Sequence, residues 1–406
     1  MKYNVIRNKD YDFINENYSD LYPNIHKYPA TMLPQIGVKI LHELNISNGI
    51  LLDPYCGSGS SFSSALECGI NYMTGYDINP LAVLISKVKF TKISLNSLAK
   101  EREHLYNEII NFKYNKSFMI TQPNVTNIDF WFSKEVINKL MILKYFIYKT
   151  NNKLRNFLLI PFSETVRECS YTRNNEFKLY KMKEEYISNF NPNVFKLYFE
   201  KLDKLISIYK DFYLPKLTNN INIKIKCSEL KNEKKLYDVV LTSPPYGDSK
   251  TTVAYGQFST LPNEWMGIEY ARKIDNLLMG GNKSKTLFTK GIISDYINEI
   301  NLSNNKRALE ISSFYYDLEK SIMNVSKVVK KNGKIIYVVG NRRVKNIELP
   351  TDQFIAEKFE ENGFKHLLTY KRILSNKSMP SKNSPENKKG KTLNTMLYEY
   401  IVVCEK

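Results

Sequence analysis

Gly49-Ile50-Leu51-Leu52-Asp53-Pro54-Tyr55-Cys56-Gly57-Ser58-Gly59 begins as a short apolar run, ends that run in an acid, and passes at once into a glycine-containing turn. A brief continuous apolar run of this kind reads as a strand buried on both faces of a parallel sheet. A helical pattern follows over residues 60–68 with Gly69 as its C′ glycine, and a second strand over residues 72–76 ends at Asp77. Strand, turn, helix and strand make a βαβ unit, which predicts an α/β fold around a parallel sheet.

Working outward, two more buried-strand patterns stand at residues 237–241 and 334–339, with a weaker one at 221–227. Between the second strand and residue 221 the periodicity is helical, with Val136, Leu140, Leu143 and Phe146 on one face. That stretch is too long for a loop, so residues 98–220 are expected to form an inserted helical lobe. Residues 1–97 and 221–406 are then the core, and within it residues 247–312, with Gly280-Gly281, read as mobile loop plus helix. A helix with Phe314, Leu318, Ile322, Val325 and Val329 on its apolar face is expected to stop at Asn332-Gly333. Another runs from Thr351-Asp352 to Asn362-Gly363, and strands near 365–373 and 396–404 close the chain.

Across 406 residues, 59 Lys plus Arg stand against 41 Asp plus Glu, a formal charge of +18. Such an excess suits a polyanion, although the richness in Lys, Asn, Ile and Tyr is also a bias that genomic base composition could produce by itself. A hydrophobic content of 43% excludes a wholly disordered chain, and no apolar run is long enough to cross a bilayer. The first ten residues lack the apolar core of a secretory signal, so a cytoplasmic location is expected. Five widely spaced cysteines without a C-x-x-C pair, beside only four histidines, argue against a disulfide framework and against a metal site.

Gly57 and Gly59 let backbone approach a ligand at the carboxyl edge of the sheet. A phosphate-cradling loop wants Gly-Lys-Ser/Thr here, but Ser60-Ser61-Phe62 follows; a dinucleotide fingerprint wants a third glycine where Phe62 stands. Asp77, about twenty residues on, is placed to accept hydrogen bonds from a ribose diol. A ribose without a nearby pyrophosphate points to S-adenosylmethionine, with Asp53 at the first strand end and Ile78 against the adenine.

Directly after the 237–241 strand comes Thr242-Ser243-Pro244-Pro245-Tyr246. Two prolines cannot continue a central strand, so the chain leaves the sheet on a stiff shelf carrying a hydroxyl, an unpaired carbonyl and an aromatic face. That set suits a planar heterocycle with an exocyclic amine. Ser243 Oγ and the Pro244 carbonyl can grip the amine hydrogens and favour the pyramidal, nucleophilic form. Tyr246 can stack on the ring, worth roughly 1–3 kcal/mol per base.

The two segments together resemble the bacterial DNA amino-methyltransferases, specifically the cytosine-N4 branch of restriction-modification methylases. In that family a D-P-x-C/F-G-S-G loop binds S-adenosylmethionine and an S/T-P-P-Y segment holds the target amine; here they stand as Asp53-Pro54-Tyr55-Cys56-Gly57-Ser58-Gly59 and Ser243-Pro244-Pro245-Tyr246. The adenine-N6 branch usually has Asp or Asn where this chain has Ser243. Further similarity lies in His26-Lys27-Tyr28-Pro29-Ala30-Thr31-Met32, which looks like the segment closing over the methionine end, and in the stretches 173–178, 247–258 and 376–380. The insertion between the second and third strands departs from the family's usual permutations, and no recognised DNA-reading module is evident.

The resemblance implies a doubly wound, mostly parallel Rossmann-like methyltransferase sheet with a large helical insertion. It implies a cofactor site at Tyr28, Pro29, Thr31, Asp53, Pro54, Tyr55, Cys56, Gly57, Ser58, Gly59, Asp77 and Ile78, and catalytic residues Ser243, Pro244, Pro245 and Tyr246. The substrate would be double-stranded DNA, with a flipped cytosine as target and a restriction endonuclease as a separate cognate protein. Arg173, Lys178, Lys250 and Lys377 are candidate DNA contacts. The helical lobe and the basic stretch 371–391, with seven Lys or Arg and one Glu, are candidate reading elements. Adenine-N6 methylation of DNA and guanine-N2 methylation of RNA remain as alternatives, because their enzymes share both kinds of motif.

Overall fold

The computed structural model describes the chain apart from residues 1, 15, 17–20, 30, 113–121, 174–175, 249–252, 375–381, 384–392 and 395, with backbone only at 382–383 and 393–394. Eight strands form the central sheet: β1 (Val5–Arg7), β2 (Ile50–Asp53), β3 (Tyr72–Asp77), β4 (Asn222–Cys227), β5 (Tyr237–Thr242), β6 (Val329–Gly340), β7 (Lys365–Ile373) and β8 (Tyr398–Glu405). Their spatial order is β1-β7-β8-β6-β5-β2-β3-β4. All neighbours are parallel except β8, which runs antiparallel to both β6 and β7. This is the expected mostly parallel, doubly wound arrangement.

The continuous apolar runs are explained by what covers each face. Leu51, Val239, Leu241, Ile336, Val338, Ile401 and Val403 point into one core, beneath α1 (Pro34–Glu43) and α2 (Ser60–Glu67). Their neighbours Leu52, Val240, Ile335, Tyr337 and Val402 point into the other, beneath α10 (Asn305–Val328) and α11 (Thr351–Glu361). Successive side chains alternate faces, so a strand covered on both sides must be apolar throughout.

Between β3 and β4 lie α3 (Pro80–Lys89), α4 (Leu95–Ile110), α5 (Lys134–Lys149), α6 (Asn152–Glu168) and α7 (Val194–Ile208). Asn79, Ser133, Asn151 and Asn193 cap four of them by accepting from backbone N–H groups in the first turn. Val136, Leu140, Leu143 and Phe146 are buried as their spacing predicts, in a core shared with Phe157, Leu158 and Leu202. That core also takes Phe258, Leu261 and Trp265 of α8 (Tyr255–Trp265), so the chain leaving the Ser243 shelf is tied to the helical lobe. The 247–312 stretch holds α8, α9 (Ser294–Ser303) and the first turns of α10.

The helix expected to stop at Asn332-Gly333 ends earlier, at Val328, and β6 begins with Val329. Asn332 takes a left-handed φ of 63° inside the strand, and the pairing register with β5 shifts between Tyr237 and Val239. The reason is tertiary: the Asn332 N–H donates to the Lys406 carbonyl at 2.7 Å and the Lys406 N–H returns a bond to Gly333 O at 3.0 Å. A turn signal that stops a helix in isolation is here a bulge pinned by the last residue. No helix among the described residues is long and apolar enough to cross a membrane.

Candidate active site

β2, β3 and β5 all end on the same rim, and three short segments meet there. Asp53, only 3% exposed, ties the glycine-loop segment to the end of β5. It accepts from Thr242 Oγ1 at 2.6 Å, from the Tyr55 N–H at 2.9 Å and from Ser61 Oγ at the start of α2. Burial pushes its carboxyl up to about 6, against the pull of those hydrogen bonds. Asp77 accepts from the Gly57 N–H at 2.9 Å and the Asn79 N–H at 2.8 Å, and burial likewise raises it to about 6.

The two loop glycines serve different needs. Gly59, with φ of 88°, precedes α2 where a Cβ would lie 2.6 Å from the Phe90 ring and 2.7 Å from Ser86 Oγ. Gly57, with φ of 48°, has open space on its Cβ side, the nearest atom being 4.0 Å away. Beside it Ser58 Oγ is buried without a hydrogen-bond partner among the described residues.

A cavity of about 350 Å³ opens over this rim. Of the expected cofactor residues, Tyr28, Thr31, Asp53, Pro54, Tyr55, Cys56, Gly57, Ser58, Asp77 and Ile78 line it, and Ser243 and Pro245 line the same space. Pro29, Gly59, Pro244 and Tyr246 stand outside its wall. The segment before the glycine loop is stapled to α6: His26 Nε2 lies 3.0 Å from Ser163 Oγ, and the Lys27 N–H donates to Glu164 at 2.8 Å. Burial holds His26 down to about 4, hence neutral. Tyr28 stacks on Tyr255 with centroids 5.9 Å apart and accepts from Asn79 Nδ2 at 3.0 Å.

At the shelf, Ser243 is half-buried, with its Oγ 3.1 Å from Tyr246 Oη. The Tyr246 hydroxyl donates to Glu399 Oε1 at 2.9 Å. Asp248, two residues on, is buried in ion pairs with Arg342 and Arg307, which hold the start of the following loop.

Several wall residues carried no sequence signal: residues 228–230 after β4, Asn276 to Met279 opposite the glycine loop, and Asp317, Lys320, Ser321 and Asn324 of α10. Thr242 and Tyr255 lie inside stretches that the motifs mark, but nothing local assigns them these contacts. Arg173 is exposed and paired with Glu176 at 3.2 Å. It shares with the half-buried Lys178 a segment that rests on α8, where the Leu179 N–H donates to Gln257 at 3.2 Å. Lys250 and Lys377 lie outside the described residues, as does the 376–380 stretch. Arg372, one of the cations counted in the basic stretch 371–391, is 3% exposed and ion-paired with Glu399, so it faces inward rather than toward a polyanion.

Over 97% of its length the chain is 37% identical to the type II methyltransferase M.MvaI of Kocuria varians, of which it covers 93%. A shorter match, 30% identity over 167 residues, joins 41% of the chain to 29% of the type II methyltransferase M.MjaII of Methanocaldococcus jannaschii. No protein-family model matches. Among solved structures, the rRNA methyltransferase AviRa of Streptomyces viridochromogenes superposes with a TM-score of 0.35 at 9% identity, over 99% of this chain and 96% of that one.

Proposed function

The chain belongs to the type II methyltransferases, and from that premise we propose that it moves a methyl group from S-adenosylmethionine to the exocyclic N4 of a cytosine flipped out of double-stranded DNA. It would then be the modification enzyme of a restriction-modification system, with the endonuclease a separate protein. The observation that carries the reading is the shared cavity: Ser243 and Pro245 open onto the same space as Gly57, Ser58 and Asp77. Serine at position 243, where the adenine-N6 branch usually has Asp or Asn, favours cytosine.

The residues present fit the methyl donor. Ser58 Oγ is a buried polar atom awaiting a partner, Gly57 leaves room for close approach, and two carboxylates stand ready for a ribose diol and a cationic amino-acid end. In this reading Asp77 takes the ribose hydroxyls, Ile78 the adenine face, and Tyr28 and Thr31 the methionine end. When bound, S-adenosylmethionine supplies an electrophilic methyl on a sulfonium. Ser243 Oγ and the Pro244 carbonyl accept from the amine and orient its lone pair, and Tyr246 backs the base. Direct transfer to an amine needs no thiol nucleophile, and burial holds Cys56, at the cavity wall, well above its ordinary pKa. The lobe 98–220, with Arg173 and Lys178, is assigned to DNA recognition.

Incubation with methyl-labelled cofactor and DNA, followed by digestion to nucleosides, is expected to place the label on N4-methylcytosine. Label on adenine alone, or on RNA and not DNA, would overturn the reading.

Titration of the two carboxyls gives a second expectation. Each is raised from 3.8 to about 6, so each is ionised above that value and protonated below it. An ionised Asp77 accepts from both ribose hydroxyls, whereas a protonated one presents a competing donor. Cofactor affinity should therefore plateau above pH 7 and fall on acidification through about 6, approaching tenfold per pH unit per group. Calorimetric titration from pH 7.5 to 5 checks it, and Asp77→Asn should make the acid limb shallower by one group's share, leaving that of Asp53. The unliganded protein should trend oppositely. Native carboxyls that keep their protons to higher pH than unfolded ones contribute stability that is lost as pH rises from about 4 to about 6.

A further inference from the structure

Two residues far along the chain reach back to the Ser243 shelf. Glu399 on β8 and Arg372 on β7 are each 3% exposed and form an ion pair across the strand pairing. Arg372 is fixed from its other side, its Nε donating to the Tyr11 carbonyl at 2.6 Å and its Nη2 to the Asp12 carbonyl at 3.3 Å. Glu399 in turn accepts from the Tyr246 hydroxyl at 2.9 Å, and Tyr246 Oη stands 3.1 Å from Ser243 Oγ.

The direction of these bonds follows from hydrogen bookkeeping. A guanidinium only donates and an ionised carboxylate only accepts. The phenol has one hydrogen, which it keeps because burial and the Glu399 charge oppose its ionisation. With that hydrogen on Glu399, Tyr246 Oη meets Ser243 as an acceptor. Ser243 then commits its own single hydrogen to Tyr246, and Ser243 Oγ, on the cavity wall, offers the cavity lone pairs and no hydrogen.

We propose that Glu399, held by Arg372, is a positioning residue that sets the direction of this hydrogen-bond chain and so makes Ser243 an obligate acceptor toward the substrate amine. The inference rests on the function proposed above and extends it to residues that never touch substrate. Polarity matters twice. A serine free to donate would engage the amine lone pair that must attack the methyl group. A serine locked as acceptor also repels a ring carbonyl in the amine's place, so the device discriminates an amino from a keto group.

A double-mutant cycle tests it. Tyr246→Phe keeps the ring and leaves the Glu399–Arg372 pair intact, but releases the serine hydrogen. It is expected to lower kcat about tenfold, less than loss of the hydroxyl itself because the unlocked serine still accepts part of the time, with KM for DNA and cofactor Kd within about twofold of the parent. On a Ser243→Ala background the same change should lower single-turnover rates no further, because there is no hydroxyl left to orient. Glu399→Gln, whose amide can donate to Tyr246 and invert the chain, should likewise be costly in the parent and silent on Ser243→Ala. Equal losses on both backgrounds, or full kcat in Tyr246→Phe, would overturn the proposal. Should Glu399→Gln not fold, Tyr246→Phe decides alone. Nucleoside analysis of the parent comes first. Label on adenine sinks the cytosine reading while the cycle still tests the polarity, and a failed cycle with label on cytosine sinks this inference only.

Discussion

Ser243→Ala should lower the rate of methyl transfer by about 10² to 10³-fold, the loss seen when one preorganised hydrogen-bonding group facing developing charge is removed. The site around it should barely change. Ser243 is half-buried, its one described side-chain bond is to Tyr246, and the backbone that turns the chain off β5 belongs to the two prolines after it. Cofactor affinity is expected to stay within about twofold, since Asp53, Gly57 and Asp77 keep their partners. Rapid-quench single-turnover assays separate the chemical step from DNA binding, and equilibrium titration reads the cofactor. A variant that turns over at the parent rate removes Ser243 from the chemistry. One that loses cofactor binding instead would make it a structural residue of the donor site.

Arg372→Met should destabilise the fold by about 3–5 kcal/mol, the usual consequence of removing one partner of a buried ion pair. The substitution strips the guanidinium from a carboxylate that is 3% exposed, and it leaves the Tyr11 and Asp12 carbonyls without the donors that Arg372 gives them. Methionine fills most of the volume, so the loss is electrostatic rather than a cavity. Adding Glu399→Gln should recover a large part of it, because a neutral amide is far less costly to bury than a carboxylate that has lost its guanidinium. Denaturant midpoints of the two single variants and the double variant give the comparison. A single variant within about 1 kcal/mol of the parent would mean that water reaches the pair.

The features legible in the sequence are those produced by rules acting within a few residues. Leu51-Leu52-Asp53 reads as a strand covered on both faces because side chains alternate, and the structure divides that pair between two cores. Gly57 and Gly59 carry the positive φ values that the turn demands. Ser243-Pro244-Pro245 has to leave the sheet where it does, because proline lacks the N–H that a ladder needs. The helical spacing of Val136, Leu140, Leu143 and Phe146 likewise found its buried face. Asn332-Gly333 was misleading for the converse reason: its turn signal is local, but its partner is Lys406.

The rest depended on which distant groups the sheet order brings together. Tyr246 and Glu399 are 153 residues apart, and nothing near either marks the other. They meet because β8 inserts antiparallel between β6 and β7, setting a carboxylate beside the exit of β5. Residues 276–279 and the α10 side chains face the glycine loop for a similar reason, after long excursions of the chain. Sequence alone determined the α/β sheet, the glycine loop and the proline shelf after β5, since backbone sterics and side-chain periodicity are short-ranged. Only the tertiary structure decided that the loop and the shelf share one cavity, and that Arg372, counted among surface cations, is a buried counter-ion. Burial and charge pairing depend on neighbours that only the folded chain supplies.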